Sequence, residues 1–375
     1  MPIRTLHIDI EGGWGGSSRS LFELTSKFHP NQIYPVIAHR QKGPISKRYK
    51  KIGIQSHHMP EIFSYAPKLR VKNFKNFIAS IPKMLELPKI INKIINMVKL
   101  YKIQIIHLNY EGLFIMAKLL KEKLNVPIIC HSRTQIPDDI FGRYLVKTLS
   151  KSVDHIFFIS PQEKKRFCRI EMGSKVSKSI MWNISAKKKG GRLKRTSEVV
   201  YFGDISPDKG TDRLIDIAKE LESEKEITIA VYGTERSKKG FLEHLIAKSK
   251  SQGIQNKIIF RKHNPEPEKI MRQSLALVRP SRYNDPWGRD VIEATCNGLP
   301  VLATGNFSGV IKSKTNGFLF NAFNAKKIAQ KIIELHNNQK LWDKLSKAGL
   351  KIGKKFSGQS QVKHFYETSK GLIKK

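Results

Sequence analysis

Short runs of apolar and β-branched residues alternate with longer amphipathic stretches along the whole chain. The short runs predict strands at residues 5–10, 34–39, 103–108, 126–130, 155–160, 199–202, 227–232, 258–261, 275–279 and 300–304. Several of them, such as IFFIS, are apolar at nearly every position, which is typical of strands covered on both faces. The stretches between them, such as TDRLIDIAKEL, place apolar residues at helical spacing. This alternation predicts an α/β protein with parallel sheets.

A candidate domain boundary lies in the run 186–197, which is basic, contains glycine and lacks strong apolar residues. The run separates two halves that both repeat the strand–helix pattern, and 375 residues exceed what one core usually fills. We predict an N-terminal doubly wound domain over 1–187, a C-terminal one over 188–357, and a terminal helix over 358–375 that packs toward the N-terminal domain. Two such domains facing each other would bind a ligand at the cleft between them.

Composition adds a strong charge to this picture. The chain has 69 Lys and Arg residues against 31 Asp and Glu, a formal net charge of +38. Such a charge predicts attraction to phosphate-bearing substrates, an anionic bilayer or nucleic acid. The three cysteines are far apart and form no metal-binding spacing, which argues against a disulfide framework or a zinc site. Neither a signal peptide nor an apolar window of about 20 residues is present, which predicts a cytoplasmic protein.

The most informative segment is 280–304, with the sequence PSRYNDPWGRDVIEATCNGLPVLAT. A helix predicted over 289–297 exposes unpaired backbone N–H groups at its start, and Gly288 lets an anion approach them closely. Glu293 lies about one turn further, where its carboxylate can accept hydrogen bonds from a ribose diol. A structural interpretation stays open as well. Asp285 before Pro286 is also a favoured helix start, and Glu293 is equally consistent with a buried carboxylate that has a structural partner.

The same segment resembles the signature of the retaining glycosyltransferases of family 4. Asp285-Pro-Trp-Gly, four further residues and Glu293 are followed by Ala-Thr-Cys-Asn-Gly-Leu-Pro-Val. The family's pattern has Glu at its first position, where this chain has Asp285. The resemblance implies the GT-B architecture, in which two Rossmann-like doubly wound parallel-sheet domains face each other across a cleft. It also implies that Asp285 lies near the donor sugar and that Glu293 binds the nucleoside.

A second element of the family lies upstream, in the run 199–215. Lys209 occupies the position where the family places a cation against the donor diphosphate, which a lysine suits as a point charge. A solvated loop lysine is the competing interpretation. The family's companion arginine is absent, and Asp204 stands in its place. Arg289 is our candidate for a substitute cation.

The N-terminal half contributes a glycine-rich loop and a histidine. Gly15 and Gly16 follow the first predicted strand and match the paired glycines that the family turns toward the donor diphosphate and acceptor. His131 follows the strand predicted over 126–130, and in the family a histidine ending this strand lies near the transferred sugar or the acceptor. His107 is a competitor, and a structural hydrogen-bonding role is open for both.

The stretch 68–102 carries nine basic residues and one acid among apolar residues at helical spacing. Such a basic amphipathic stretch fits an anionic bilayer surface, where each Lys or Arg contributes about 1 kcal/mol. Packed helices with basic solvated faces would give the same pattern.

Together these features predict a retaining glycosyltransferase that moves a sugar from a nucleotide-sugar to a hydroxyl acceptor. We expect the acceptor to be a bacterial cell-envelope polysaccharide, lipopolysaccharide or lipid-linked precursor, and the protein to associate peripherally with the inner face of the cytoplasmic membrane. We expect no metal and no further cofactor. A nucleotide-sugar epimerase and a basic non-enzymatic binding protein are the alternatives. Nucleic acid is not an expected partner, because only charge supports it.

Overall fold

Two compact units make up the computed structural model, which describes residues 1–13, 15–64, 86–171, 173–185, 195–235, 239–282, 288–306 and 308–374. The first unit is Met1–Ile184 together with Gly358–Lys375, and the second is Ser185–Ser357. The chain therefore divides after Ile184, whereas the sequence places the boundary after residue 187. Most of the predicted linker and the first part of the basic stretch, up to residue 85, lie outside the described residues.

The first unit is built on a seven-stranded sheet whose neighbouring strands are all parallel. Its strands are β1 (Ile3–Asp9), β2 (Ile33–His39), β3 (Gln55–His58), β4 (Ile105–Leu108), β5 (Ile128–Ser132), β6 (His155–Phe158) and β7 (Ser177–Ile180). They lie in the spatial order β3-β2-β1-β4-β5-β6-β7. The direction of winding reverses between β1 and β4, and in such sheets a crevice opens outside the carboxyl ends of these two strands.

Amphipathic helices connect these strands. Their bounds are α1 (Gly16–Thr25), α2 (Pro44–Lys51), α3 (Leu87–Leu100), α4 (Phe114–Lys123), α5 (Ile140–Ser152) and α6 (Pro161–Glu171). In α3, Ile90 and Ile94 are buried in the core while Lys89 and Lys93 are exposed. The second part of the basic stretch is thus a packed helix with a basic outer face.

The second unit repeats the plan with six parallel strands. They are β8 (Glu198–Phe202), β9 (Thr228–Tyr232), β10 (Ile258–Arg261), β11 (Ala276–Arg279), β12 (Val301–Thr304) and β13 (Gly317–Phe320), in the order β10-β9-β8-β11-β12-β13. The helices are α7 (Arg213–Glu220), α8 (Phe241–Ser251), α9 (Pro267–Met271), α10 (Arg289–Cys296), α11 (Ala325–Asn337) and α12 (Gln339–Gly353). Here the winding reverses between β8 and β11.

The terminal helix α13 (Gln359–Ile373) belongs to the first unit. Phe365 is fully buried in a cluster with Leu24 and Phe28 of the first unit, and Val362 and Tyr366 pack against the same cluster. The helix therefore covers one face of the first sheet. Across the described part of the chain, no helix combines the length and the apolar character that crossing a bilayer requires.

Candidate functional site

The loop after β8 carries Lys209 at the end of a single 3-10 turn, Pro207–Lys209. The side chain of Ser206 caps this turn by accepting a hydrogen bond from the Lys209 N–H. Gly210 follows with φ +70°, and a Cβ there would overlap the carbonyl oxygen of Pro280. Glycine is required at this position, because it allows both the left-handed backbone and the close approach. The loop after β8 thus packs directly on the loop after β11.

Side chains hold these two loops together. Arg282, after β11, donates two hydrogen bonds to the carboxylate of Asp212, at 2.8 and 2.6 Å. Arg213 donates to the carbonyl oxygen of Pro280 at 3.0 Å. Burial acts to raise the pKa of Asp212, but the hydrogen bonds and charge of Arg282, together with a backbone hydrogen bond and the charge of Arg213, outweigh it, so the pKa is lowered and the carboxylate stays ionised. Because β8 and β11 flank the reversal of winding, Lys209 is fixed at the place where this fold class binds ligands.

Gly288 begins α10 in extended conformation, at φ 178°. A Cβ at this position would lie 2.6 Å from Asp290 Oδ1 and 2.9 Å from Arg279 Nη1. A larger residue would therefore force these side chains to move, whereas glycine fits them as they stand. Arg279 ends β11 and donates from Nη1 to both carboxylate oxygens of Asp290, at 2.7 and 2.8 Å. Its guanidinium therefore lies against the opening turn of α10. The sequence analysis missed this buried cation, although a charged residue ending the apolar strand LALVR was a usable signal.

Glu293 lies one turn inside α10 and is 3% exposed. Its Oε1 is 2.8 Å from Nε of Arg289, so the two side chains form an ion pair. The contact is not a hydrogen bond, because the Nε–H bond of Arg289 does not point at this oxygen. The candidate substitute cation is thus paired with the candidate ribose ligand. This pairing orients the Glu293 carboxylate and partly neutralises Arg289. Asp285, expected near the donor sugar, lies outside the described residues.

In the first unit, Gly15 and Gly16 lie where β1 leads into α1. A Cβ on Gly15 would overlap the carboxylate of Glu11, so only glycine lets Glu11 fold against this loop. On Gly16 a Cβ would meet open space. The paired glycines therefore stand at the start of a helix, as predicted, with an acidic side chain beside them that sequence analysis did not single out.

His131 is placed differently from the sequence expectation. It lies within β5 rather than after it, because the strand extends to Ser132. Its side chain is 3% exposed, and its Nδ1 is 2.9 Å from Nε2 of His107. The two histidines treated as competitors are therefore hydrogen-bonded to each other. His131 also lines a small cavity with Ser20, Arg133 and Trp182.

A polar network at the carboxyl ends of β1, β4 and β5 was not predicted. Asn109 donates to Asp9 Oδ1 at 3.0 Å, and Ser18 donates to Asp9 Oδ2 at 2.5 Å. Arg133 donates to Asn109 Oδ1 at 2.5 Å and to Asn183 Oδ1 at 3.0 Å. These residues are far apart in sequence, so only the topology brings them together at the reversal of winding in the first sheet.

Acidic pH should lower the stability of the first unit, because this unit buries neutral histidines. Burial lowers the pKa of His7 to about 3 and, as the leading cause, that of His155 to about 4. In the unfolded chain both titrate near 6.5, so below that pH the unfolded state binds more protons and stability falls. The expected loss is up to about 1.4 kcal/mol per histidine for each pH unit between about 6 and 4. Urea denaturation at pH 7.5 and 5.0 checks this, and an unchanged midpoint would contradict it.

Metal ligation finds no support in the described ranges. No group of three or more His, Cys, Asp or Glu side chains in these ranges is arranged to hold a metal ion. Cys130, Cys168 and Cys296 are free thiols.

Two family models match the chain. The model described as Glycosyltransferase Family 4 matches residues 14–177, and the one described as Glycosyl transferases group 1 matches residues 184–352. An uncharacterized glycosyltransferase of Methanocaldococcus jannaschii is 28% identical over 282 residues, which span 71% of this chain and 75% of that protein. The poly(ribitol-phosphate) α-N-acetylglucosaminyltransferase of Staphylococcus aureus is 27% identical over 173 residues, which span 44% of this chain and 34% of that enzyme.

Solved structures show the same fold. The Anabaena protein HepE in complex with UDP matches 98% of this chain and 100% of its own, with a TM-score of 0.79 and 16% identity. Its complex with UDP-glucose matches with a TM-score of 0.79 and 15% identity. At this level of identity the likeness concerns the fold, which is the GT-B architecture.

Proposed function

The chain belongs to glycosyltransferase family 4, and on that basis we propose that it transfers a sugar from a nucleotide-sugar donor to a hydroxyl acceptor with retention of anomeric configuration. The observation that carries the proposal is the position of Lys209, which follows β8, and of the opening turn of α10, which follows β11, since these two strands flank the reversal of winding in the second sheet. A helix start with a nearby cation suits a diphosphate. UDP-sugars are the first donors to test, because HepE forms complexes with UDP and UDP-glucose.

In this proposal the second unit holds the donor. The backbone N–H groups after Gly288 and the ammonium of Lys209 bind the diphosphate, and Arg289 adds positive potential from the helix itself. Glu293 accepts hydrogen bonds from the ribose diol, and Asp285 lies near the donor sugar. As the glycosidic bond to the diphosphate breaks, negative charge grows on the leaving oxygen. The helix dipole and Lys209 stabilise that charge.

The first unit holds the acceptor in this proposal. Gly15 and Gly16 allow a ligand to approach the backbone, and His131 supplies a hydrogen-bonding group near the transferred sugar. The acceptor we propose is a cell-envelope glycan or a lipid-linked precursor. The likeness to an enzyme named for glycosylating poly(ribitol-phosphate) supports a phosphate-bearing polymer as acceptor, and the net charge of +38 suits an anionic one.

Peripheral membrane attachment is part of the proposal. The exposed lysines of α3 support it, since a basic helix face is attracted to anionic lipid. Flotation with liposomes of anionic and of neutral lipid tests it. Binding to anionic liposomes alone is the expected result, and equal behaviour with both would contradict it.

A transfer assay tests the central activity. UDP-sugars are incubated with and without extracts of envelope glycans, and both UDP release and the product are followed. We expect release that depends on acceptor, and a product whose anomeric proton signals show the donor's configuration. Isomerised donor without acceptor would indicate an epimerase, and donor binding without any conversion would indicate a non-enzymatic protein. Either outcome would overturn the proposal.

Catalysis should be independent of divalent metal, because backbone N–H groups and cations take over the neutralisation of the diphosphate. We expect an excess of EDTA to leave the transfer rate unchanged within a factor of about two, a change worth ~0.4 kcal/mol of barrier. Loss of activity in EDTA with recovery on adding Mg²⁺ or Mn²⁺ would contradict this.

A further inference from the structure

Three buried histidines form a continuous hydrogen-bonded row across neighbouring strands of the first sheet. Nδ1 of His7 on β1 is 2.9 Å from Nδ1 of His107 on β4, and Nε2 of His107 is 2.9 Å from Nδ1 of His131 on β5. The far end is closed by Thr5, whose Oγ1 lies 2.8 Å from Nε2 of His7. Only His131 of the three lines the cavity.

The row is neutral at physiological pH. All three rings are at most 3% exposed, and Phe365 of α13 packs on His7 and His107, with ring centroids 5.6 and 5.4 Å apart. Burial lowers the pKa of each ring, for His7 to about 3. Four neighbouring groups, when charged, lower the pKa of His131 further: Arg133, His155, His7 and His364.

Neutrality restricts the protons of the row to two arrangements. Each N···N bond needs one proton, and the central His107 carries only one, so it donates to one neighbour and accepts from the other. If His107 donates to His7, then His131 donates from Nδ1 and its Nε2 is bare. If His107 donates to His131, then the Nε2 of His131 carries the proton and Thr5 donates to His7.

We propose that His7 and His107 are positioning residues that let His131 present its Nε2 either as an acceptor or as a donor without any change of charge. The assignment rests on the proposed function, in which His131 contacts the transferred sugar or the acceptor. The two arrangements carry the same number of protons and differ at their ends: the first has a proton on Nε2 of His7 and the second has one on Nε2 of His131. A sugar hydroxyl both donates and accepts, so it can pair with Nε2 of His131 in either arrangement. A lone neutral histidine in an apolar site would lack this coupled change.

Nitrogen-15 NMR of the histidine side chains in the full chain at pH 7.5 tests the row directly. In the first arrangement His107 and His131 carry their proton on Nδ1 and His7 carries it on Nε2. In the second arrangement all three are reversed, so His107 and His131 always have the same tautomer and His7 has the opposite one. We therefore expect equal tautomer populations for His107 and His131 and the complementary population for His7. An imidazolium in the row, or opposite tautomers at His107 and His131, would overturn the proposal. This readout does not depend on turnover, so it fails independently of the proposed function.

Variants of His107 separate positioning from packing. His107→Gln keeps one donor and one acceptor, whereas His107→Phe keeps the aromatic packing and removes both. We expect kcat/KM to fall about tenfold in His107→Phe, the equivalent of ~1.4 kcal/mol, and to stay within about threefold of wild type in His107→Gln. UDP affinity should be unchanged in both. A His107→Phe variant at least as active as His107→Gln would overturn the proposal.

The matched control is His155→Gln on β6. His155 is a buried histidine outside the row, bonded to Ser177 and Ser179 at 3.0 and 2.8 Å. We expect this variant to leave the tautomers of His107 and His131 as in wild type. A change in the tautomer of His131 as large as that in His107→Phe would mean that this tautomer responds to general loosening of the sheet, which would also overturn the proposal.

Discussion

Glu293→Gln is expected to lower kcat/KM at least about a hundredfold while the chain stays folded. A carboxylate that accepts two hydrogen bonds from a ribose diol gains about 1.5–3 kcal/mol from each, and an amide of the same shape loses the charge that strengthens them. Glutamine is a better test than alanine, because Glu293 is buried and paired with Arg289. Steady-state kinetics with a UDP-sugar measure the effect, and circular dichroism checks the fold.

A matched control for Glu293→Gln is Glu268→Gln. Glu268 is also a buried glutamate of the second unit, 6% exposed, and lies on the short helix α9. We expect this variant to change the free energy of unfolding by no more than Glu293→Gln does and to keep the wild-type kcat/KM. If Glu293→Gln were as active as the control, Glu293 would be a structural residue and the nucleoside assignment would be wrong.

Lys209→Met should weaken binding of UDP by about ten- to a hundredfold. A charge-assisted contact to phosphate contributes about 1.5–3 kcal/mol, and methionine keeps most of the aliphatic length without the charge. The affinity of the wild type for UDP should also fall more steeply with salt concentration than that of the variant, because in the variant one fewer cation contacts the diphosphate. Isothermal titration calorimetry with UDP at two salt concentrations measures both effects.

Lys219→Met on α7 is the control for this charge change. Lys219 is half-exposed and pairs with Glu222 at 2.6 Å, away from the loop that carries Lys209. Equal UDP affinity in the two variants would show that general positive charge, and not the position of Lys209, attracts the donor.

The sequence pattern was sufficient to predict the buried strands. All ten predicted strands correspond to observed ones, because strands inside a parallel sheet are covered on both faces and appear as apolar runs. The strands it missed, β3, β7 and β13, lie at the sheet edges. Two of them have the largely polar sequences QSHH and SKSI, which an edge strand tolerates because only one side is paired.

The candidate site was predictable where its residues are close in sequence. Gly288 and Glu293 stand on one helix start, and Lys209 follows one strand, so local motifs reveal them. The contacts of Arg279 with Asp290 and of Arg282 with Asp212 join separate segments, and their partners follow only from the fold. The histidine row has the same origin, since strands β1, β4 and β5 are adjacent in space but not in sequence.

The crystal structure of the protein with bound UDP tests the central claim most directly. We expect phosphate oxygens within about 3 Å of backbone N–H groups in the first turn of α10 and of the Lys209 ammonium, with the ribose hydroxyls on Glu293. UDP bound elsewhere, or a first turn of α10 closed off by side chains with no phosphate near it, would contradict the account.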